Sequence, residues 1–331
     1  MGANGSVRTS AIAESSNLTI FAKTVDYRPG TLHDASRIWL ETNCYADLWA
    51  ELLHALQLDP VPAFACALSA DHDGVQWTFL KPAPEDLRRL YGLEVAEENV
   101  WRPVLDTVES GPARGLLFTV EVDSWWLPDT VGTAYRTEHV KTTIVPTRVD
   151  RTLRVMEYLH NAGMYELHAE DFDGVFGLTG AEQLPPYIEA IRRHPDRVEP
   201  DALATIAREH LRRRAPGNPV DRLAASVRAA IDWLPDTDMT VFHKWSFATL
   251  RQCGATAELA ADFARHIGRT FAGAADAAEP LIAVAEGAKA VQFKMARAAR
   301  GRAVDVDDAL ADMADAWQRG DRKSTRLNSS H

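Results

Sequence analysis

The sequence predicts an α+β protein with its strands in the first half and helices through most of the second. Three observations carry this expectation. Clear strand-like runs stand at 116–122 and 140–145, and a third at 152–158 alternates apolar and polar residues, the period of a half-buried strand. Beyond about residue 180 the chain turns Ala-rich, with apolar residues at helical spacing and Gly, Pro and Asp punctuating the runs. The whole chain of 331 residues is 46% hydrophobic and 25% charged, enough for a substantial core in one large or two modest domains.

Taken in order, residues 1–30 are small and polar and read as a loose arm, with a short strand-like run at Leu18–Ala22. The first strong element is a helix whose stripe is Tyr45, Leu48, Trp49, Leu52, Leu53 and Leu56. Thr42 or Asn43 is its N-cap, which places Cys44 in the first turn. A second helix follows Pro84, a third spans Trp101 to Ser110, and Val75–Leu80 reads as a strand. His160-Asn161-Ala162-Gly163 is a turn by composition. Helices are expected at 201–214, 219–233, 238–250, 255–271, 277–300 and 306–317. The division is therefore an arm at 1–30, an α+β domain at 31–180 and a helical domain at 181–320. Residues 321–331 continue no pattern and resemble a translated sequencing adapter, so they are left out of the fold.

Composition narrows the function classes. A formal charge of −11 opposes a nucleic-acid-binding role, although Arg192-Arg193 and Arg212-Arg213-Arg214 are candidate local basic patches. No apolar run reaches bilayer length, and Met1–Lys23 lacks the pattern of a secretion signal. Cys44, Cys66 and Cys253 show neither metal-ligand spacing nor a disulfide framework, which points to a reducing cytoplasm.

Cys44 is the residue that suggests chemistry. At a helix start, the unpaired N–H groups and the positive end of the dipole favour a thiolate. The bland alternative is a small core hydrophobe, the reading adopted for Cys66 and Cys253. A nucleophilic cysteine needs a base and a group to orient that base. His139, opening the 140–145 strand, is the candidate base. Asn161 is the candidate orienter, set against a simple role as turn residue, and His160 competes for the place beside the thiol. Asp123 either caps the turn after its strand, binds a substrate amine or orients the site. Trp125 and Trp126 are candidates to line or cover a substrate slot. Glu41 is either an exposed acid, the partner of an Arg or an amine ligand. The Asn43 side chain and the Cys44 N–H are candidate oxyanion donors. No zinc pattern or phosphate loop occurs.

Several segments together resemble a known bacterial family. They are Glu41-Thr42-Asn43-Cys44-Tyr45, Glu121-Val122-Asp123 with Leu127-Pro128, Thr137-Glu138-His139, and Tyr158 to Gly163. Phe242-His243, Ala248 to Ala255 and Ala288 to Phe293 extend the resemblance to roughly Ile20–Trp317. The family is a domain of unknown function found near genes for carrier proteins and amino acid:carrier-protein ligases. Its first half resembles the papain-like cysteine protease/acyltransferase fold of the butirosin-type acyltransferases, here with a helical C-terminal half packed on it. The resemblance implies aminoacyl or acyl transfer from a carrier-protein thioester to a small amine, in natural-product or modified amino-acid biosynthesis. It assigns Cys44 as nucleophile and His139 as base. The third position, usually Asp in those acyltransferases, is matched here by His160-Asn161. No cofactor is implied, because the carrier's phosphopantetheine arm delivers the substrate, and the basic patch at Arg212–Arg214 would meet the acidic carrier. A thioesterase or amidase/peptidase with the same residues and a non-catalytic binding protein are the competing readings.

Overall fold

The computed structural model describes residues 23–180 and 186–324. The strand expected at Leu18–Ala22 and most of the tail excluded above lie outside the described residues. The chain divides into two compact units. One comprises residues 1–30, 47–59 and 84–200, and the other residues 31–46, 60–83 and 201–331. Helix α1, Cys44–Ala55, has its first turn in the second unit and the remainder in the first.

The first unit is built on a six-stranded antiparallel sheet in the order β1-β6-β2-β3-β4-β5. The strands are β1 (Leu93–Glu97), β2 (Leu116–Asp123), β3 (Lys141–Asp150), β4 (Val155–His160), β5 (Gly163–His168) and β6 (Ile188–Arg193). Alternation explains the layering. Phe118, Val120 and Val122 of β2 join Ile144, Met156, Tyr158 and Ile188 in one buried cluster. α3 (Val104–Glu109) and α4 (Ala169–Val175) add Leu105 and Phe172 to it. α2 (Pro84–Tyr91) packs beside β1.

The two strands expected at 116–122 and 140–145 are present, and the 152–158 run is realised as β4. β3 is longer than expected because it serves two partners. Its first residues pair with β2, Val122 opposite Thr142, and the remainder, from Val145 on, pairs with β4 across a bulge between Pro146 and Arg148. Pro146 cannot donate to a ladder, so a register break there is the expected accommodation. Asn161 occupies the turn between β4 and β5 with φ 45°, a left-handed conformation that asparagine tolerates better than most residues. β6 lies beyond the expected boundary at 180, so the sheet draws on sequence assigned to the helical half.

The second unit is helical: α5 (Ala202–Arg212), α6 (Pro219–Trp233), α7 (Met239–Ser246), α8 (Gln252–Ile267), α9 (Ala278–Ala298) and α10 (Asp307–Ser324). A π-helical turn, Phe247–Arg251, joins α7 to α8. Residues 321–324, excluded above, continue α10, and Asp321 pairs with Arg214. The segment Val75–Leu80 is not a strand. Only His72 and Trp77 form a bridge, the Asp73 carboxylate accepts from the N–H of Val75 and Gln76, and the Trp77 N–H donates to Ala248 O at 2.8 Å. The alternation there reflects burial of Trp77 and Leu80 rather than a ladder.

α8 and α9 grip the chain just before α1. The Glu258 carboxylate accepts from the N–H groups of Ile38 (3.0 Å) and Trp39 (2.9 Å), and the Trp39 indole donates to Ala285 O. Lys289 reaches Ile38 O. Gly254 makes room for this: a Cβ there would stand 2.4 Å from Nε1 of Trp39. Gly254→Ala should therefore lower stability by about 1–3 kcal/mol, the range for overpacking. Urea denaturation checks it; an unchanged midpoint would show that Trp39 is free to move aside.

Candidate functional site

The mouth of α1 is tightly determined. Asn43 is the cap: its Oδ1 accepts from the N–H of Tyr45 (3.2 Å) and Ala46 (2.9 Å). Its amide Nδ2 donates to Leu80 O and to Oε1 of Gln252, both at 3.1 Å, and Gln252 Nε2 in turn donates to Thr42 O. The Asn43 side chain is thus buried and committed at both ends, which removes it as the expected oxyanion donor. Glu41 pairs with Arg251 at 3.1 Å rather than standing as an unpaired amine ligand.

Cys44 is the first residue of α1 and is partly exposed. Cys66 is 8% exposed and Cys253 fully buried, where burial pushes the Cys253 thiol up. Both are core residues, as expected from their apolar neighbours. Arg214 of the expected basic patch is turned inward: it donates to Leu68 O, pairs with Asp321, and burial lowers its guanidinium to about 10. Only Arg212 and Arg213 of that run are exposed.

The first unit carries an Asp–His pair at a groove. β2 ends at Asp123, and His139 lies just before β3, which pairs with β2 with Asp123 opposite Lys141. The connection between them folds back so that His139 Nδ1 meets Asp123 Oδ2 at 2.5 Å. Trp125 lies flat against the imidazole, with ring centroids 4.5 Å apart and planes 7° from parallel. Asp123 also caps the turn, accepting from the Trp125 N–H at 3.0 Å. The His139 side chain is 69% exposed, and Nε2 carries no protein hydrogen bond among the described residues. With Nδ1–H held by the carboxylate, Nε2 is the nitrogen that can take a proton.

The contact to the His139 Nδ1 is made by Asp123 rather than by Asn161. Asn161, the expected orienter, sits in the β4–β5 turn. His160, expected at the substrate, is 1% exposed and engaged at both nitrogens: Nδ1 meets Asp129 Oδ2 at 2.6 Å and Nε2 meets Thr142 Oγ1 at 2.8 Å. The Tyr158 hydroxyl donates to Asp129 Oδ1 at 2.5 Å, and burial, with the Asp129 charge second, pushes that phenol well above its usual range. A donor at each oxygen satisfies this buried carboxylate, which fixes His160 as structural. Trp126 does not line the groove. It packs on Gly174, where a Cβ would lie 2.0 Å from its ring, under the Arg136 guanidinium at 4.4 Å.

The groove beside His139 has a volume of about 490 Å³. Glu121, Asp123, His139 and Lys141 form its polar wall, and Val104, Val122, Val175 and Phe176 much of its apolar one. Sequence reading missed Glu121, Lys141 and Asp129. Glu121 and Lys141 carried a signal, since strand alternation puts Glu121 on the same face of β2 as Asp123. Asp129, after Pro128, had only the look of a turn residue. No cluster of three or more His, Cys, Asp or Glu able to hold a metal occurs among the described residues. No helix among them is long and apolar enough to cross a membrane.

Two measurements follow from the contrast in burial. Asp129→Ala should cost about 3 kcal/mol or more in urea denaturation, because it strips a buried pair of one partner, whereas Asp123→Ala should cost under about 1 kcal/mol. Equal costs would show that the exposed pair also carries the fold. In native protein, iodoacetamide should label Cys44 first, read by peptide mass spectrometry. Earlier labelling of Cys66 or Cys253 would make the Cys44 helix start a purely structural feature.

No curated protein matches the chain. Two family models do: the DUF1839 N-terminal domain over residues 28–193 and the DUF1839 C-terminal domain over residues 196–323. The junction falls directly after β6, which completes the sheet. Together the matches span most of the sequence, and the chain belongs to the DUF1839 family.

Proposed function

We propose that this chain is a cysteine-dependent acyltransferase that moves an aminoacyl or acyl group from a carrier-protein thioester to a small amine. The observation that carries the reading is the Asp123–His139 pair, an exposed imidazole with Nδ1 on a carboxylate and one face on Trp125, at the wall of a groove. That is the equipment of a general base. The papain-like fold, the biosynthetic setting and the carrier partner belong to this proposal and rest on the sequence resemblance. So does Cys44 as nucleophile, supported by its place as the first residue of a capped twelve-residue helix and its exposure relative to the other two cysteines.

In the proposed reaction the Cys44 thiol gives its proton to His139 and its sulfur attacks the thioester carbonyl. The carbon–sulfur bond to the carrier's arm breaks, and the departing sulfur takes the proton from His139. The amine then attacks the Cys44 thioester, His139 accepts the amine proton, and that proton returns to the Cys44 sulfur as the amide leaves. Thiol and imidazole belong to different units, and their coupling is part of the proposal, to be read in solution.

Intact-mass analysis after incubation with aminoacyl-loaded carrier protein should show an adduct of the aminoacyl mass. Cys44→Ala should show none. Asp123→Asn should slow transfer about 100-fold or more, since it removes the group that sets the tautomer of His139. Asn161→Ala should stay near wild type. An adduct on the Cys44→Ala protein would remove the nucleophile, and a large loss in Asn161→Ala with none in Asp123→Asn would reverse the orienter. Added amine should divert product from free acid to amide; release of free acid alone would make the protein a hydrolase.

A further inference from the structure

Of the features the proposal leaves unused, the opposed charges in the groove are the most informative. Glu121 and Lys141 both line it, joined by an ion pair of 2.7 Å between Oε1 and Nζ. They come from neighbouring strands, β2 and β3, with Lys141 paired to Asp123 across the ladder. The lysine side chain is 72% exposed and the glutamate 22%, so the pair is open to solvent on one side. Such an exposed pair contributes little to stability, so exchanging its partners for a ligand's charges costs little.

A ligand complementary to this wall carries both charges close together. An α-amino acid places an ammonium and a carboxylate on one carbon, matching the separation of two groups already in hydrogen-bond contact. Its ammonium would meet Glu121 and its carboxylate Lys141. The balance of charge favours an ammonium as well as a carboxylate, because Glu121 and Asp123 outnumber Lys141 on this wall. The same acidic character shows nearby at Tyr187, whose phenol is pushed up to about 12 by burial and by Glu189, with Glu97 and Glu121 adding. Val104, Val122, Val175 and Phe176 also line the groove and offer surface suited to an aliphatic or aromatic side chain. A volume of about 490 Å³ holds such a molecule with room for an acyl group beside it.

We infer that this groove binds a free α-amino acid with an apolar side chain, its ammonium on Glu121 and its carboxylate on Lys141. The inference rests on the proposed acyl transfer only for the ligand's role, which is that of the amine acceptor; His139 in the same wall would then remove a proton from the ligand's nitrogen.

Binding to the full chain can be measured by isothermal titration with L-leucine, isopentylamine and 4-methylpentanoate, the last two each carrying one of leucine's charges. Leucine should bind about tenfold or more tightly than either comparator, as a charge-assisted contact is lost in each. Glu121→Gln and Lys141→Met should each weaken leucine about tenfold, and Lys141→Met should leave isopentylamine unchanged. No leucine binding, an equal affinity for isopentylamine, or wild-type leucine affinity in both variants overturns the inference. Leucine binding by a chain that transfers no acyl group would sustain the groove assignment and end the acyltransferase reading. Transfer to an amine by a chain that does not bind leucine would do the reverse.

Discussion

The candidate site depends on one buried carboxylate that takes no part in the proposed chemistry. Asp129 lies in the connection between β2 and β3 and receives Tyr158 and His160 from β4, while His160 receives Thr142 from β3. These contacts join the connection to the two strands beside it at the end where Asp123, Trp125 and His139 meet. Thr142 is three residues from His139, and Asp129 is four from Trp125. A buried network with every member satisfied is rigid, whereas one with a missing partner is costly. Removing Asp129 would leave His160 and Tyr158 donors without an acceptor in a region closed to water. The loop that stacks Trp125 on His139 would then lose its anchor.

A parallel arrangement in the other unit fixes the start of α1. Glu258 binds two consecutive backbone N–H groups, Gln252 bonds both to the cap residue Asn43 and to Thr42 O, and Lys289 binds Ile38 O. These residues fall in the Ala248–Ala255 and Ala288–Phe293 segments by which the sequence resembles its family, or close to them. Their polar side chains capture backbone, which explains why such residues occur on buried helix faces among alanines. It also explains why Asn43 has nothing left for an oxyanion: four bonds already use its amide.

Much of this was legible in the sequence, for identifiable reasons. β2 and β3 are rich in apolar and β-branched residues, the composition of strands, and α6 matches its expected bounds because Asn218-Pro219 is a strong helix start. β1, β5 and β6 went unread. β1 and β5 show mixed burial, and β6 is buried at four consecutive positions, so its period is hidden. The sequence makes His139 and Asp123 each a candidate, but their pairing depends on how a connection folds between antiparallel strands, which no local pattern encodes. Asn161 had the right chemistry for an orienter, and its left-handed backbone shows the competing demand that placed it: a tight turn after β4. The groove was invisible, because its walls come from five separated stretches between Val104 and Pro186.

The first unit contains two Asp–His contacts of nearly the same length, 2.5 Å at Asp123–His139 and 2.6 Å at Asp129–His160, and their surroundings give them opposite uses. In the buried pair the far nitrogen meets a threonine hydroxyl and the carboxylate meets a tyrosine, so gaining or losing a proton disturbs four groups. In the exposed pair the far nitrogen has no protein partner among the described residues, and the imidazole is open to solvent. Proton transfer needs a group whose two protonation states cost little to exchange, and burial without water opposes that exchange. His139 is open to solvent and His160 is enclosed. The distinction lies in the contacts at the second nitrogen rather than in the Asp–His distance, and it leaves His139 as the imidazole of the two that a molecule in this groove can meet.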